Sequence, residues 1–175
     1  MNSKMRDKIF FVVQGFLKYN AFNSGVKLRA IFYRPFFKKF GKHVQISDGV
    51  TIKYPSEFEV GSNVKIGQHC FFVGKGGLSI GDNVLIGAGS KIITSNHNFE
   101  NTELPIAEQG ISFEKVLIEE DVWLGFDVKV LGGSIIRKGT IVGTNSLING
   151  NEFPSMSIVA GTPAKLIKTR LERND

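Results

Sequence analysis

The side chains best suited to chemistry are the three histidines, His43, His69 and His97, and the lone cysteine, Cys70. An imidazole takes up a proton close to neutral pH, so each histidine is a candidate general base. The histidines stand 26 and 28 residues apart. These gaps provide no close pair with the usual spacing of zinc ligands, and one cysteine excludes a cysteine-rich metal site. We therefore expect proton transfer at a site without a metal.

A six-residue repeat runs through most of the chain and must position these groups. Clear copies are IGDNVL, IGAGSK and LGFDVK, which begin at Ile80, Ile86 and Leu124. A period of six is typical of a solenoid, in which each rung buries its apolar face against the next rung. This position is aliphatic, with Phe72 as the exception, and recurs at 46, 52, 60, 66, 72, 80, 86, 92, 118, 124, 130, 136, 142, 148 and 159. The sequence therefore predicts a mainly β protein.

The fifth residue of each repeat is small or β-branched, as at Val64, Cys70, Val84 and Ser90. Gly, Asn and Asp fill the positions between, where tight corners need them. Small side chains are expected to face inward at such corners. Cys70 is therefore interpreted as a core residue rather than a nucleophile.

Three breaks interrupt the repeat. The steps from 52 to 60 and from 72 to 80 are eight residues long, and the step from 92 to 118 is 26. Three repeats separate successive breaks, so all three fall on one corner if three repeats make one triangular turn. His97 then begins a long loop, residues 97–115, that leaves this corner. Long excursions from a rigid scaffold commonly carry function, which ranks His97 above the other histidines.

The N-terminal segment, residues 1–42, differs in chemistry from the rest. It holds ten Lys or Arg and one acid, Asp7, while the remainder of the chain has a net charge of −3. Met5, Ile9, Val12 and Phe16 recur at helical spacing. Two interpretations stay open: a basic segment on an anionic membrane surface, or a helical cap on the open end of the solenoid. The negative body disfavours nucleic acid as a partner.

These features divide the chain into the arm 1–42, a repeat domain 43–170 and a short tail 171–175. The apolar run from Ile9 to Val13 is too short for a signal peptide or a membrane span. A single cysteine suits a reducing compartment. We therefore expect a cytoplasmic protein, with peripheral membrane contact through the arm as an option.

Three motifs carry a resemblance to a known family: IGDNVLIGAGSKIITSNHNF (80–99), VLIEEDVWLGFDVKVLGG (116–133) and IVAGTPAKLIK (158–168). In this order and spacing they resemble the hexapeptide-repeat acyltransferases, especially the sugar O-acetyltransferase branch with the galactoside and maltose acetyltransferases. The resemblance covers about residues 46–170. It implies a left-handed parallel β-helix, acetyl-CoA as co-substrate, and a homotrimer with active sites between neighbouring subunits.

The resemblance also implies roles for individual residues. His97 matches the family's catalytic histidine, and Asn96 beside it is expected to shape the acceptor pocket. His69 is expected about one turn below His97, where relatives present an acceptor-binding asparagine, although a corner turn residue fits equally well. Trp123 is expected to point outward and to border the active site, or else to pack the loop.

The resemblance also implies that coenzyme A binds with its extended arm along an edge of the solenoid. Main-chain groups near Gly125, Phe126 and Thr144 match the path of the pantetheine arm. Lys165 and Lys168 match positions that meet the phosphates, where a cation is needed. The alternative for both lysines is an ordinary solvated side chain.

The predicted function is an acetyl-CoA-dependent O-acetyltransferase that modifies a sugar hydroxyl, in the biosynthesis of a surface polysaccharide such as O-antigen, capsule or exopolysaccharide. An N-acetyltransferase for an amino sugar is the nearest alternative within the enzymes. A non-catalytic, membrane-associated β-helix scaffold is the alternative outside them. A scaffold would not need the SNH triplet or the AGTPAK motif.

Overall fold

The computed structural model describes residues 2–171, so residues 172–175 of the predicted tail lie outside the described part. Two α-helices come first, α1 (Ser3–Leu17) and α2 (Asn23–Tyr33). Three short 3₁₀ turns follow at Arg34–Phe36, Pro55–Glu57 and Ile106–Glu108.

Nineteen short β-strands lie between residues 39 and 169. In chain order they are β1 (Lys39–Phe40), β2 (Gln45–Ile46), β3 (Thr51–Lys53), β4 (Phe58–Val60), β5 (Lys65–Ile66), β6 (Phe71–Val73), β7 (Leu78–Ile80), β8 (Leu85–Ile86), β9 (Lys91–Ile93), β10 (Ser95–His97), β11 (Ile111–Phe113), β12 (Val116–Ile118), β13 (Trp123–Leu124), β14 (Lys129–Leu131), β15 (Ile135–Ile136), β16 (Ile141–Val142), β17 (Leu147–Ile148), β18 (Ser157–Gly161) and β19 (Ala164–Thr169).

The strands form three sheets that run along the molecule. Sheet 1 has the order β1-β4-β7-β12-β15, sheet 2 the order β19-β18-β16-β13-β8-β5-β2, and sheet 3 the order β17-β14-β9-β6-β3. Within them, all neighbours pair in parallel except β18 with β19. The chain visits the sheets in turn, so each circuit of three strands stacks on the circuit before it. This is the parallel β-helix that the repeat predicts.

The core is built from the two inward positions of the repeat. The register stacks Ile46 on Ile66 and Ile86, and stacks Leu124 on Val142. Every aliphatic position named above is buried, and so are the small corner residues, Ser90, Ser134 and Ser146 among them. Each rung therefore removes its apolar side chains from water only by contact with the rungs on either side.

Cys70 occupies one of these inward corners. Its side chain is fully buried, and its thiol donates to the Gly87 carbonyl oxygen at 3.3 Å. Burial raises the pKa of the Cys70 thiol to about 12. The thiolate is therefore scarce at neutral pH, which agrees with a core residue rather than a nucleophile.

The three breaks lie on one corner, as predicted. The links from β3 to β4, from β6 to β7 and from β9 to β12 all pass from sheet 3 to sheet 1. We call the segments 54–57, 74–77 and 94–115 together the ribbon corner. The third segment is more ordered than the loop expected from the sequence, because β10 and β11 pair as an antiparallel ribbon.

The N-terminal helices cover the open end of the solenoid. Gln14 is buried in α1, where its amide accepts from the Ile52 N–H at 2.7 Å and donates to the Ile52 carbonyl at 3.3 Å. Phe10, Tyr33 and Phe37 join the hydrophobic core of the β-helix. The helices thus cover the apolar end of the first rung, where a further rung would otherwise pack. The end of a solenoid needs such a cap.

No helix within residues 2–171 combines the length and the hydropathy needed to cross a bilayer.

Candidate active site

His97 ends β10, on the ribbon that projects from the ribbon corner. In the ribbon, Ser95 pairs with Phe113, Asn96 with Ser112, and His97 with Ile111. The imidazole is exposed and lines a cleft of about 260 Å³. A histidine on a paired strand has a defined position, yet it is open to an incoming substrate.

The base of the ribbon is tied to the rung below it. The Thr94 hydroxyl donates to the Val73 carbonyl oxygen at 2.9 Å and accepts from the Gly76 N–H at 2.8 Å. At the far side of the ribbon, the Asn98 amide donates to the Gln109 carbonyl at 3.0 Å. These bonds hold β10 on the solenoid, so the position of His97 follows from the rigid body of the protein.

Strand alternation separates the two neighbours Asn96 and His97. Successive side chains on a strand point to opposite faces, while paired residues share a face. His97 therefore shares a face of the ribbon with Phe113, and Asn96 shares the other with Ser112. Both Asn96 and His97 nevertheless line the cleft. Among residues 2–171, no side chain hydrogen-bonds the imidazole.

Two polar residues in the cleft escaped the sequence reasoning. Glu114 and Asn149 both line the cleft beside His97. The Glu114 N–H donates to the Thr94 carbonyl at 3.0 Å, which fixes where the chain returns from the ribbon. The pairing of β10 with β11 lies inside the 26-residue break, where the repeat gives no register. The sequence therefore could not predict that Glu114 returns to the cleft.

Of the two expectations for His69, the structure supports the corner turn residue. It lies in the turn between β5 and β6, at the corner between sheets 2 and 3, with φ of 56°. Strand β6 separates this corner from the ribbon corner, so within one chain His69 does not lie directly below His97. The remaining histidine, His43, is exposed near the first rung. The chain thus brings neither histidine to His97.

Trp123 lies on the outer face of sheet 2. Its side chain is 49% exposed, as expected, and its register neighbours are Leu85 and Ile141. Leu85 is also exposed. The outer face of sheet 2 therefore carries an apolar stripe at its centre, which is the kind of surface that a neighbouring subunit covers.

Gly125, Phe126 and Thr144 lie at the corner between sheets 2 and 3. Gly87 and Gly125 stack there so closely that a Cβ on Gly87 would collide with the Gly125 carbonyl. The Gly125 N–H donates to the Val142 carbonyl at 2.8 Å, so it is not free to bind a ligand. Phe126 is exposed and Thr144 is exposed above it. A pantetheine arm at this corner would have to contact these two residues.

Lys165 and Lys168 lie on β19, which adds an antiparallel edge to sheet 2. Their register partners are Ala160 and Ile158 on β18. Lys165 is exposed and Lys168 is partly buried. The lysines predicted to meet the phosphates thus share sheet 2 with Trp123, on the same side of the prism as the pantetheine corner.

The predicted site residues fall into two groups on one chain. His97 and Asn96 lie on the ribbon corner, whereas Trp123 and the residues predicted for coenzyme A lie on sheet 2 and its corner with sheet 3. Sheet 3 stands between the two groups. One chain alone therefore does not bring the imidazole and the residues predicted for coenzyme A together.

Residues 2–171 contain no group of three or more His, Cys, Asp and Glu side chains arranged to hold a metal ion. The chemistry available at His97 is acid–base chemistry by an exposed imidazole in a polar cleft.

Comparison with known proteins finds relatives among acetyltransferases. A Mycobacterium tuberculosis protein described as an acetyltransferase is 33% identical over 133 residues, 75% of this chain and 44% of the relative. The lipopolysaccharide biosynthesis O-acetyl transferase WbbJ of Escherichia coli is 33% identical over 115 residues, 61% of this chain and 57% of the relative. The chain thus spans about half the length of these curated relatives. No protein-family model matches it.

A solved structure shares the fold. The hexapeptide-repeat acetyltransferase of Vibrio cholerae, solved with acetyl coenzyme A, superposes with a TM-score of 0.86 at 21% identity. The match covers 97% of this chain and 89% of the other. The fold class predicted from the sequence, a left-handed parallel β-helix with a helical arm and a projecting segment after His97, is confirmed.

Proposed function

Since the chain belongs to the hexapeptide-repeat acyltransferases, we propose that it transfers an acetyl group from acetyl coenzyme A to a sugar hydroxyl, with His97 as general base. The observation that carries this proposal is the placement of His97. The imidazole stands exposed in a polar cleft, on a ribbon that is bonded to a rigid solenoid. A general base needs this combination of fixed position and access.

The proposed reaction is a direct transfer. The His97 imidazole removes the proton of the sugar hydroxyl as its oxygen attacks the carbonyl carbon of the thioester. The C–S bond then breaks, and the imidazolium returns the proton to the departing coenzyme A sulfur. Cys70 is buried, so it does not offer a covalent acetyl carrier.

The test is to incubate the full chain with acetyl coenzyme A and a panel of mono- and oligosaccharides. We expect release of free thiol that depends on the sugar, and a product that gains one acetyl group as an ester. An acetyl group on an amine would assign the alternative, an amino-sugar N-acetyltransferase. A result with neither thiol release nor an acetylated product, for any sugar of the panel, would favour the non-catalytic scaffold.

The acceptor class follows from a relative and is part of the proposal. WbbJ, which shares the repeat region, is named for lipopolysaccharide biosynthesis. This supports a sugar of a surface polysaccharide as the acceptor. Comparing glycans from cells with and without the gene by mass spectrometry checks it, because loss of one acetyl ester is the expected difference.

We also propose that the active protein is a homotrimer with sites between subunits. The support is the division of the site: His97 lies on the ribbon corner, and the predicted coenzyme A residues lie beside sheet 2. A cyclic assembly could place the ribbon corner of one copy against the Trp123 face of the next. The exposed stripe of Leu85 and Trp123 would then be covered.

Subunit mixing tests this division. His97→Ala and the double variant Lys165→Ala/Lys168→Ala are each expected to be nearly inactive, the second through weaker acetyl coenzyme A binding. Co-expressed in equal amounts, they should regain about a quarter of wild-type activity, because each mixed ring keeps one intact site. Two chains that stay inactive together, while forming mixed trimers, would place each site within one chain.

The N-terminal arm is proposed to cap the solenoid and to contact an anionic membrane surface from the cytoplasmic side. Met5, Ile9, Val12 and Phe16 form an exposed apolar stripe on α1, at spacings of one face of a helix. Phe16 is 83% exposed. The one acid of the arm, Asp7, faces inward, where it accepts from Ser56. The outer surface of the arm is therefore apolar and cationic.

Charge removal tests the membrane contact. Lys18→Gln/Lys27→Gln should bind anionic vesicles at least tenfold more weakly, at about 1 kcal/mol for each lysine near the surface. High salt should weaken the wild type in the same way. The matched control is Lys65→Gln/Lys129→Gln, which removes the same charge from the repeat domain alone. Equal loss in both double variants would leave the arm only its role as a cap.

A further inference from the structure

A second and larger cleft lies on the ribbon corner, away from His97. It has a volume of about 660 Å³ and separates α1 from the turn at residues 54–57. Phe10, Phe11, Ile52 and Tyr54 line it. Phe11 is 68% exposed, whereas Phe10 and Ile52 are buried and form the floor. Its volume and apolar lining are those of a small-molecule site.

Four lysines surround this apolar floor: Lys4, Lys8, Lys53 and Lys75. None of them forms an ion pair with a carboxylate in residues 2–171. Of the two acids that line the cleft, Asp7 accepts from the Ser56 N–H at 3.2 Å and from the Ser56 hydroxyl at 3.1 Å. The cleft therefore has an excess of positive charge around an apolar interior, which complements an anion with a hydrocarbon part.

The backbone at the mouth of the cleft is strained. Tyr54 has φ of 63° and ψ of 53°, a left-handed conformation that is unfavourable for a bulky residue. This geometry holds the phenol ring at the edge of the cleft, where Tyr54 is 38% exposed. Strain of this kind persists where the surroundings enforce it, and it is concentrated at ligand sites.

A row of side chains connects the cleft to His97. The Lys75 ammonium lies 5.8 Å from the centre of the Tyr54 ring and 4.5 Å from the centre of the Phe113 ring. Phe113 and His97 share one face of the ribbon and are diagonal neighbours in its register. The cleft floor at β3 is two strands from β9, which leads into the ribbon, or about 10 Å along the solenoid.

We propose that this cleft binds the lipid phosphate end of the acceptor, an amphiphile in which the sugar is joined through phosphate to a hydrocarbon chain. The lysines bind the phosphate, the hydrocarbon lies on the exposed rings of Phe11 and Tyr54, and the sugar extends past Phe113 to His97. The helix α1 forms one wall of the cleft and carries the exposed apolar stripe on its outer face, so the lipid chain can enter from the membrane side. This assignment rests on the proposed sugar acetylation.

The test measures binding without turnover, with dodecyl phosphate below its micelle concentration as the probe. By calorimetry, the full chain should bind dodecyl phosphate at least tenfold more tightly than either dodecyl maltoside, which shares the tail, or inorganic phosphate, which shares the head. Lys8→Gln/Lys75→Gln should weaken this binding about tenfold. The control Lys42→Gln/Lys65→Gln loses the same charge outside the cleft and should bind as the wild type does.

A third variant addresses the hydrocarbon part. Phe11→Ala removes an exposed ring and no charge, so the fold should persist, as checked by circular dichroism. It should weaken dodecyl phosphate binding and leave the weak inorganic phosphate binding unchanged.

Three outcomes would overturn the assignment. These are no binding of dodecyl phosphate, equal binding of inorganic phosphate, or equal losses in the cleft and control double variants. None of them affects the transfer assay with sugars and acetyl coenzyme A, so the cleft and the catalytic proposal fail separately.

Discussion

His97→Ala is expected to lower kcat for acetyl transfer by roughly 10²- to 10⁴-fold, the range for loss of a general base. The side chain is exposed at the end of β10, so its removal leaves no cavity in the core. Folding and coenzyme A binding should therefore be unchanged. The loss should appear in kcat rather than in KM for acetyl coenzyme A, because the imidazole acts on the hydroxyl of the acceptor.

The matched control for this substitution is His43→Asn. His43 has φ of 56°, a conformation that asparagine tolerates and alanine does not. Its activity should equal that of the wild type. If His97→Ala retains activity within threefold of the wild type, another group removes the proton.

The solenoid could be predicted from the sequence because the repeated apolar positions are those that pack in the core. Each position that recurs every six residues is one that faces the axis, so Ile46, Ile66 and Ile86 stack in the structure as their spacing requires. The corner of the breaks followed from counting alone, since three strands complete a circuit. A pattern of buried positions that follows a regular fold can therefore be predicted from the sequence alone.

The site was less predictable, since it depends on pairings that the repeat does not encode. The register of His97 opposite Ile111 arises inside the 26-residue break, and Glu114 reaches the cleft through it. The corner of His69, by contrast, follows from the strand count: residue 69 lies one strand before the ribbon corner, at the corner between sheets 2 and 3.

Arg29 is a buried cation, although the charge of the arm predicts a basic surface. It was counted among ten cations of a basic surface, yet its side chain is 0% exposed. The Nε donates to the Ile46 carbonyl at 2.7 Å, while Nη1 donates to the carbonyls of Leu17 at 3.0 Å and Asn20 at 2.7 Å. Arg29 thus joins the C-terminal end of α1 to the first rung. The composition gives the number of charged side chains but does not show which of them are buried.

Arg29→Met is therefore expected to destabilise the protein by about 3 kcal/mol or more. Methionine keeps much of the volume but leaves the carbonyls of Leu17, Asn20 and Ile46 without their donor, and bonds to a charged group contribute about 1.5 to 3 kcal/mol each. A gain opposes this loss, because burial lowers the pKa of Arg29 and its Nη2 has no partner among residues 2–171. Three charged bonds outweigh that gain. The thermal midpoint should fall by roughly 6 to 12 °C for a chain of this length.

Arg34→Met is the matched control, because Arg34 is exposed and its contact with the Phe40 carbonyl is long, at 3.5 Å. Its free energy of unfolding should change by no more than about 0.5 kcal/mol. Urea unfolding of both variants at one protein concentration keeps any effect of assembly constant. An unchanged or higher stability in Arg29→Met would mean that the buried guanidinium costs more in desolvation than its hydrogen bonds return. The joint between α1 and the first rung would then depend on the packing of Phe10 and Tyr33 instead.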